Sequence, residues 1–183
     1  MSANNKSFIH PTAIVETDVV GRNTTIWAFA HVMAGASVGC DCNIGDHVFI
    51  ETGAVLGDGV TVKNNALIWK GVTIGNYTFI GPNVVFTNDR CPRSPRMPRI
   101  QALRRKESDW LVPTRVGEGA SIGANATILA GVTIGRYAMI GAGSVITRDV
   151  PDFALAVGNP ARVVGKVDEL GRRVEGDPTE DIT

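Results

Sequence analysis

Fourteen apolar residues stand six apart in this chain without a miss: Phe8, Ile14, Val20, Ile26, Val32, Val38, Ile44, Ile50, Leu56, Val62, Ile68, Ile74, Ile80 and Phe86. After an interruption the period resumes at Val116 and runs through Ile122, Ile128, Ile134 and Ile140 to Ile146. An amphipathic helix places apolar residues three and four apart, and a strand with one buried face alternates with period two. Period six sustained over this length fits neither. It fits a parallel β-helix, in which each hexad supplies one short strand and one turn. Gly or Asn stands at the fourth position in 11 of the 20 hexads, as in Asn23, Gly53, Asn65, Gly71, Asn125 and Gly143. These residue types tolerate the positive φ of a sharp corner. The fifth position is usually small, as in Ala36, Ala54, Ala66, Ala120, Ala126 and Ser144, and Gly45, Gly75 and Gly141 at the second allow close backbone packing.

At this level the chain resembles the hexapeptide-repeat acyltransferases over nearly all of residues 8–165. The resemblance implies an all-β, left-handed parallel β-helix in which three hexads make one triangular coil. Residues eighteen apart then stack in columns, in six to seven coils spaced about 4.8 Å apart. It also implies a homotrimer with ligand sites between neighbouring prisms. The expected organisation is a β-helix domain over residues 1–165, an extruded loop at 87–115, and a polar C-terminal tail at 166–183.

Bulk properties exclude several classes. The net charge is zero over 183 residues, so no polyanion partner such as nucleic acid is expected. The polar start and the lack of an apolar run long enough to span a bilayer point to no membrane association. The three cysteines, Cys40, Cys42 and Cys91, have no zinc spacing. A cytoplasmic protein is the expectation.

The break in the period concentrates the remaining signal. Residues 87–115 hold Arg90, Arg93, Arg96, Arg99, Arg104, Arg105, Lys106 and Arg115 against only Asp89, Glu107 and Asp109. A long insertion inside a compact repeat is a candidate functional loop, and arginines suit phosphate oxygens. Column arithmetic places Asn88 over Lys70 and Thr52, and Thr87 over Trp69 and Glu51. Glu51, Trp69, Lys70, Asn88 and Asp89 should therefore form one patch at a prism corner.

Three segments sharpen the resemblance: Ile26-Trp27-Ala28-Phe29-Ala30-His31, Cys42 through Glu51, and Ile80 through Asp89 followed by Pro92-Arg93-Ser94. Together they look like the nucleotide-sugar 3-N-acetyltransferases. The resemblance implies acetyl transfer from acetyl-CoA to the 3-amino group of a UDP- or dTDP-linked amino sugar, without a metal. The setting it implies is surface polysaccharide biosynthesis, such as lipopolysaccharide O-antigen. Catalytic candidates are Asn88, Asp89 and His31, and acceptor-binding candidates are Glu51, Trp69, Lys70 and Arg93. Small residues in the stacked pairs Gly123 with Gly141 and Ala124 with Ala142 leave backbone open to a pantetheine arm, with Arg148 and Arg162 for its phosphates. His47 is a second histidine that could meet a ligand across a subunit boundary.

The chain departs from the family's pattern in Lys70, where relatives often carry an acidic residue, and in its longer, more basic insertion. Other acceptors remain open for the same fold, among them a 4-amino sugar, an amino acid or a sugar hydroxyl. A metal-dependent carbonic anhydrase of this fold would need several converging histidines. Only His10, His31 and His47 are present, and none stand eighteen apart. A non-enzymatic scaffold would give no reason for a basic insertion opening beside Asn88 and Asp89.

Overall fold

The computed structural model describes residues 6–174, which build a parallel β-helix of strands mostly two residues long. A first face stacks Phe8–Ile9, Thr25–Ile26, Asn43–Ile44, Thr61–Val62, Phe79–Ile80, Ser121–Ile122, Met139–Ile140 and Ala154–Gly158 in parallel, and Ala161–Lys166 closes it antiparallel. A second face stacks Ile14–Val15, His31–Val32, Phe49–Ile50, Leu67–Ile68, Val85–Phe86, Thr127–Ile128 and Val145–Ile146. A third carries Ser37–Val38, Val55–Leu56, Val72–Ile74, Thr114–Val116 and Thr133–Ile134. The stack is taller than six to seven coils on the first face, because Ala154–Gly158 continues it after the hexad period ends.

The core is the column of hexad-leading residues. Ile26, Ile44, Ile50, Ile68, Ile80, Phe86, Ile122, Ile128 and Ile134 are all completely buried. Fifth-position residues fill the corners behind them, among them Cys42, whose thiol is pushed up in pKa by burial and donates to the Gly57 carbonyl at 3.2 Å. The fourth position takes positive φ at the expected Gly and Asn residues, and also at Phe29, Asp41, His47, Tyr77 and Tyr137. A left-handed non-glycine residue costs about 1–2 kcal/mol. Ring stacking offsets part of it where Phe29 lies on His47 at 5.0 Å and Tyr137 on Phe153 at 5.2 Å.

The structure departs from strict periodicity at three places. The first coil is one residue short: Phe8 pairs with Thr25 and Ile14 with His31, so Ile9 and Val15, not Phe8 and Ile14, continue the inward column. Phe8 and Ile14 are exposed, Val15 is half-buried, and Ile9 at the open end of the stack is exposed nearly as much as Phe8. The insertion ends earlier than residue 115. Thr114 and Arg115 already pair with Val72 and Thr73 in the third face, and Thr114 is buried. The residues after Gly165 also begin in the β-helix. Lys166 belongs to the closing strand, and Val167 is buried with its N–H bonded to the Phe153 carbonyl at 2.8 Å. Asp168 and Arg172 then clasp a turn that returns Val174 to Lys166. The remainder of the expected tail, 175–183, lies outside the described residues. Among the described residues no helix is long and apolar enough to cross a membrane.

Candidate active site

The corner between the second and third faces carries the predicted patch. Glu51, Trp69 and Thr87 leave three successive strands of the second face, and Lys70 and Asn88 follow the last two of them. Across the insertion Val85 pairs with Thr127, so the same column continues into Leu129, Ala130, Thr147 and Arg148. The ladder is joined by side chains. Glu51 Oε2 accepts the Lys70 N–H at 2.8 Å, and the Asn88 amide Nδ2 donates to the Lys70 carbonyl at 3.3 Å. Trp69 is half-buried with its ring 5.3 Å from Phe49.

The insertion is folded onto this corner rather than extended from it. Its return limb is tied down by the Val112 N–H to the Asn88 carbonyl at 2.9 Å and the Thr114 N–H to the Gly71 carbonyl at 3.1 Å. Within the loop lie a short helix, Pro98–Leu103, and a 3-10 turn, Glu107–Asp109. Two ion pairs join loop to corner: Lys70 with Glu107, and Asp89 with Arg104. Arg104 also donates to the Cys91 carbonyl, and the Cys91 N–H donates to Asp89 Oδ1 at 2.8 Å. Arg90 crosses the corner, its Nε donating to the Ala130 carbonyl at 3.2 Å. Gly131, at φ +83°, takes a backbone conformation that favours glycine, and a Cβ there would displace the end of the Arg90 side chain.

These contacts bear on the charge of Asp89. Burial under the loop raises its pKa, but the Arg104 hydrogen bond, the Cys91 N–H and the guanidinium charge together outweigh it, so the carboxyl is held below the ordinary range. An ion-paired carboxylate of lowered pKa is a poor proton acceptor and a good brace. Because the folded value lies below the unfolded one of about 3.9, Asp89 stabilises the fold at neutral pH. That contribution fades as pH falls below about 4 and through the folded value. The wild-type melting temperature should therefore fall more than that of Asp89→Asn between pH 7 and pH 3; parallel declines would count against the pairing.

Beside Asp89 opens a cleft of about 480 Å³, with Thr87, Asp89 and Arg90 on one side, Leu129 to Val132 along its floor, and Thr147, Arg148 and Asp149 opposite. Arg148, expected to meet coenzyme phosphates, thus lies within the ladder that holds Asn88. Gly123, Ala124, Gly141 and Ala142 do not. They occupy the corner between the first and second faces, and a Cβ on Gly123 would stand 2.5 Å from the Ala142 nitrogen, so coil stacking alone demands a small residue there. Arg162 is exposed on the closing strand of the first face. Arg93 is exposed on the loop, its Nη1 bonded to the Pro92 carbonyl at 2.9 Å.

His31 lies on the second face three coil steps from Val85, about 14 Å along the stack. Its ring meets Phe49 edge-on at 5.5 Å, and its Nε2 is buried 3.5 Å from Glu16 Oε1 without a hydrogen bond. Within its own chain His31 thus stands far along the stack from Asn88 and Asp89, although it is one step below Phe49, whose ring also meets Trp69. His47 is taken up in stacking on Phe29, and His10 Nδ1 bonds Thr12 Oγ1 at 2.9 Å. Sequence reasoning missed Arg104 and Glu107 as the partners of Asp89 and Lys70, and missed Ala130 and Gly131 as the floor of the cleft. Extending the Asn88 column past the insertion would have found Ala130.

The bacterial transferase hexapeptide (six repeats) family matches residues 53–88 and 113–148, and the hexapeptide repeat of succinyl-transferase matches 35–70. A dTDP-3-amino-3,6-dideoxy-alpha-D-galactopyranose 3-N-acetyltransferase from Aneurinibacillus thermoaerophilus is 54% identical over 166 residues, 91% of this chain and 81% of that protein. The chain belongs to the hexapeptide-repeat acetyltransferases. Two solved structures of such acetyltransferases carry the likeness into three dimensions. The acetyltransferase domain of PglB from Neisseria gonorrhoeae, in complex with acetyl coenzyme A, superposes with a TM-score of 0.57 at 25% identity, covering 87% of this chain and 58% of that one. PerB from Caulobacter crescentus, in complex with CoA and GDP-perosamine, gives 0.51 at 27% identity, covering 87% and 57%. This hexapeptide acetyltransferase thus spans a little over half the length of either structure.

Proposed function

We propose that the protein transfers the acetyl group of acetyl-CoA to the 3-amino group of a dTDP-linked amino sugar. The observation that carries this reading is the 54% identity, over nine-tenths of the chain, to a dTDP-3-amino sugar 3-N-acetyltransferase. It favours dTDP over UDP. The corner supplies what the chemistry needs. Attack of a neutral amine on the thioester carbonyl gives a tetrahedral oxyanion, which collapses with loss of CoA thiolate, and the amine proton passes to the departing thiolate. Asn88, aligned by its bond to the Lys70 carbonyl, orients the amine. Asp89, charged and braced by Arg104, sets the potential around the amine without taking its proton. Arg90 and Arg148 line the adjoining cleft and bring positive charge to it.

The active assembly is a homotrimer in this reading. The second face presents half-buried Phe49, Leu67 and Val85 outward between the two corners. Packing it against a neighbour would bring the Gly123–Ala142 edge of one subunit, as the pantetheine groove, beside the Asn88 corner of another. The product would be an N-acetylated nucleotide sugar suited to transfer into a surface polysaccharide. A CoA-release assay across dTDP- and UDP-linked 3-amino and 4-amino sugars tests the assignment. The expected result is turnover on dTDP-3-amino sugars, with 4-amino isomers at least tenfold poorer in kcat/KM. Release with no 3-amino donor, or equal rates on 4-amino isomers, would overturn it.

A further inference from the structure

We infer that Trp110 and Arg93 of the insertion form the seat for the nucleoside diphosphate end of the acceptor, an inference that rests on the amino-sugar reading above. A second cavity, of about 280 Å³, lies inside the loop and is lined by Asp89, Arg93, Pro95, Arg104 and Trp110. Asp89 lines both this cavity and the larger cleft beside the catalytic corner, so the two spaces share a wall. Trp110 is half-buried at the C-terminal end of the 3-10 turn, its N–H bonded to the Glu107 carbonyl at 3.1 Å, and that turn is fixed to the corner through Glu107 and Lys70. The indole is therefore a positioned ring beside an open space. The two guanidiniums differ in their availability. Arg104 is committed to Asp89, while Arg93 is exposed and forms no ion pair among the described residues. An aromatic face and a free guanidinium in one pocket suit a base that stacks and a diphosphate that needs a cation.

Both substrates carry a nucleoside diphosphate, and covalent structure chooses between them. In CoA the pantetheine arm separates the nucleotide from the reacting thioester. In the acceptor the diphosphate is bonded to sugar carbon 1, and the amine sits on carbon 3 of the same ring. Its diphosphate must therefore lie within one sugar ring of the reacting nitrogen. A pocket that shares Asp89 with the catalytic corner meets that condition for the acceptor and not for CoA.

Titration calorimetry with dTDP alone and with adenosine 3′,5′-diphosphate, on wild type, Trp110→Ala, Trp110→Phe and Arg93→Gln, tests the inference without needing turnover. Loss of one base-stacking ring should weaken dTDP binding about 10- to 100-fold in Trp110→Ala, with most of it restored in Trp110→Phe. Arg93→Gln should weaken it about tenfold, and adenosine 3′,5′-diphosphate should bind all four proteins alike. Circular dichroism melts establish that each variant is folded; should Trp110→Ala fail to fold, Trp110→Phe and Arg93→Gln carry the test. Unchanged dTDP affinity in the folded variants, or weakened binding of adenosine 3′,5′-diphosphate in its place, overturns the inference. Normal dTDP binding through Trp110 together with no acetylation of any 3-amino sugar would leave this seat standing and remove the proposed reaction.

Discussion

Replacing Asn88 with alanine should lower kcat/KM for the amino-sugar acceptor by about 100-fold or more while leaving the protein folded. Asn88 is the half-buried ladder residue that carries a neutral amide rather than a paired charge, between Thr87 and Asp89, which line the cleft. Glu51 spends a carboxylate oxygen on the Lys70 N–H, Lys70 is paired with Glu107, and Asp89 is paired with Arg104. Misaiming a nucleophile, or removing one donor where charge develops, typically costs this much. The structural role of the Asn88 side chain is slight, one 3.3 Å bond to the Lys70 carbonyl, worth about 1 kcal/mol. Its backbone carbonyl, which receives the Val112 N–H and holds the loop, is kept in the variant. Steady-state kinetics beside a thermal melt check both halves. Turnover within threefold of wild type would take Asn88 out of the mechanism, and a collapse in melting temperature would recast it as a structural residue.

Phe86→Ala should be among the most destabilising single changes available, costing about 3–5 kcal/mol. Phe86 is completely buried and is the bulkiest of the fully buried side chains. It lies immediately before the Thr87–Asn88 step, at the level where the insertion leaves the β-helix. In a solenoid each coil is held only by its neighbours, so a cavity there weakens the contact between the coil below the insertion and the one above it. Urea denaturation should show a midpoint well below wild type with a similar slope. A shift worth less than about 1 kcal/mol would mean that the coil closes over the gap, contrary to the close packing inferred for the interior.

Much of this is legible in the sequence. From Val20 to Phe86, hexad-leading residues point inward, and eighteen-residue columns place Glu51 below Trp69 and Lys70 below Asn88 as the strand pairing requires. The first coil departs from the hexad count for a physical reason. Phe8-Ile9 and Ile14-Val15 are both apolar pairs, so hydrophobicity alone cannot say which member faces in, and a coil with no neighbour beneath it exposes both more than usual. The insertion ends before residue 115 because Thr114-Arg115 enters the third face as Thr and Arg, which carry no hexad signature. The partners of Asp89 and Lys70 were not readable at all. Arg104 and Glu107 sit in a segment without period, and only the folding of that segment back over Gly71 and Gly131 brings them to the corner. His31 shows the limit of column reasoning. Its column is as expected, but its height along the stack leaves it three steps below the strand that leads to Asn88.

The most direct test of the central claim is a crystal structure with CoA and a dTDP-3-amino sugar bound together. The account predicts the sugar amine within hydrogen-bond reach of the Asn88 side chain, at the corner between the second and third faces. A sugar amine seated elsewhere, with Asn88 and Asp89 untouched by either ligand, would contradict it.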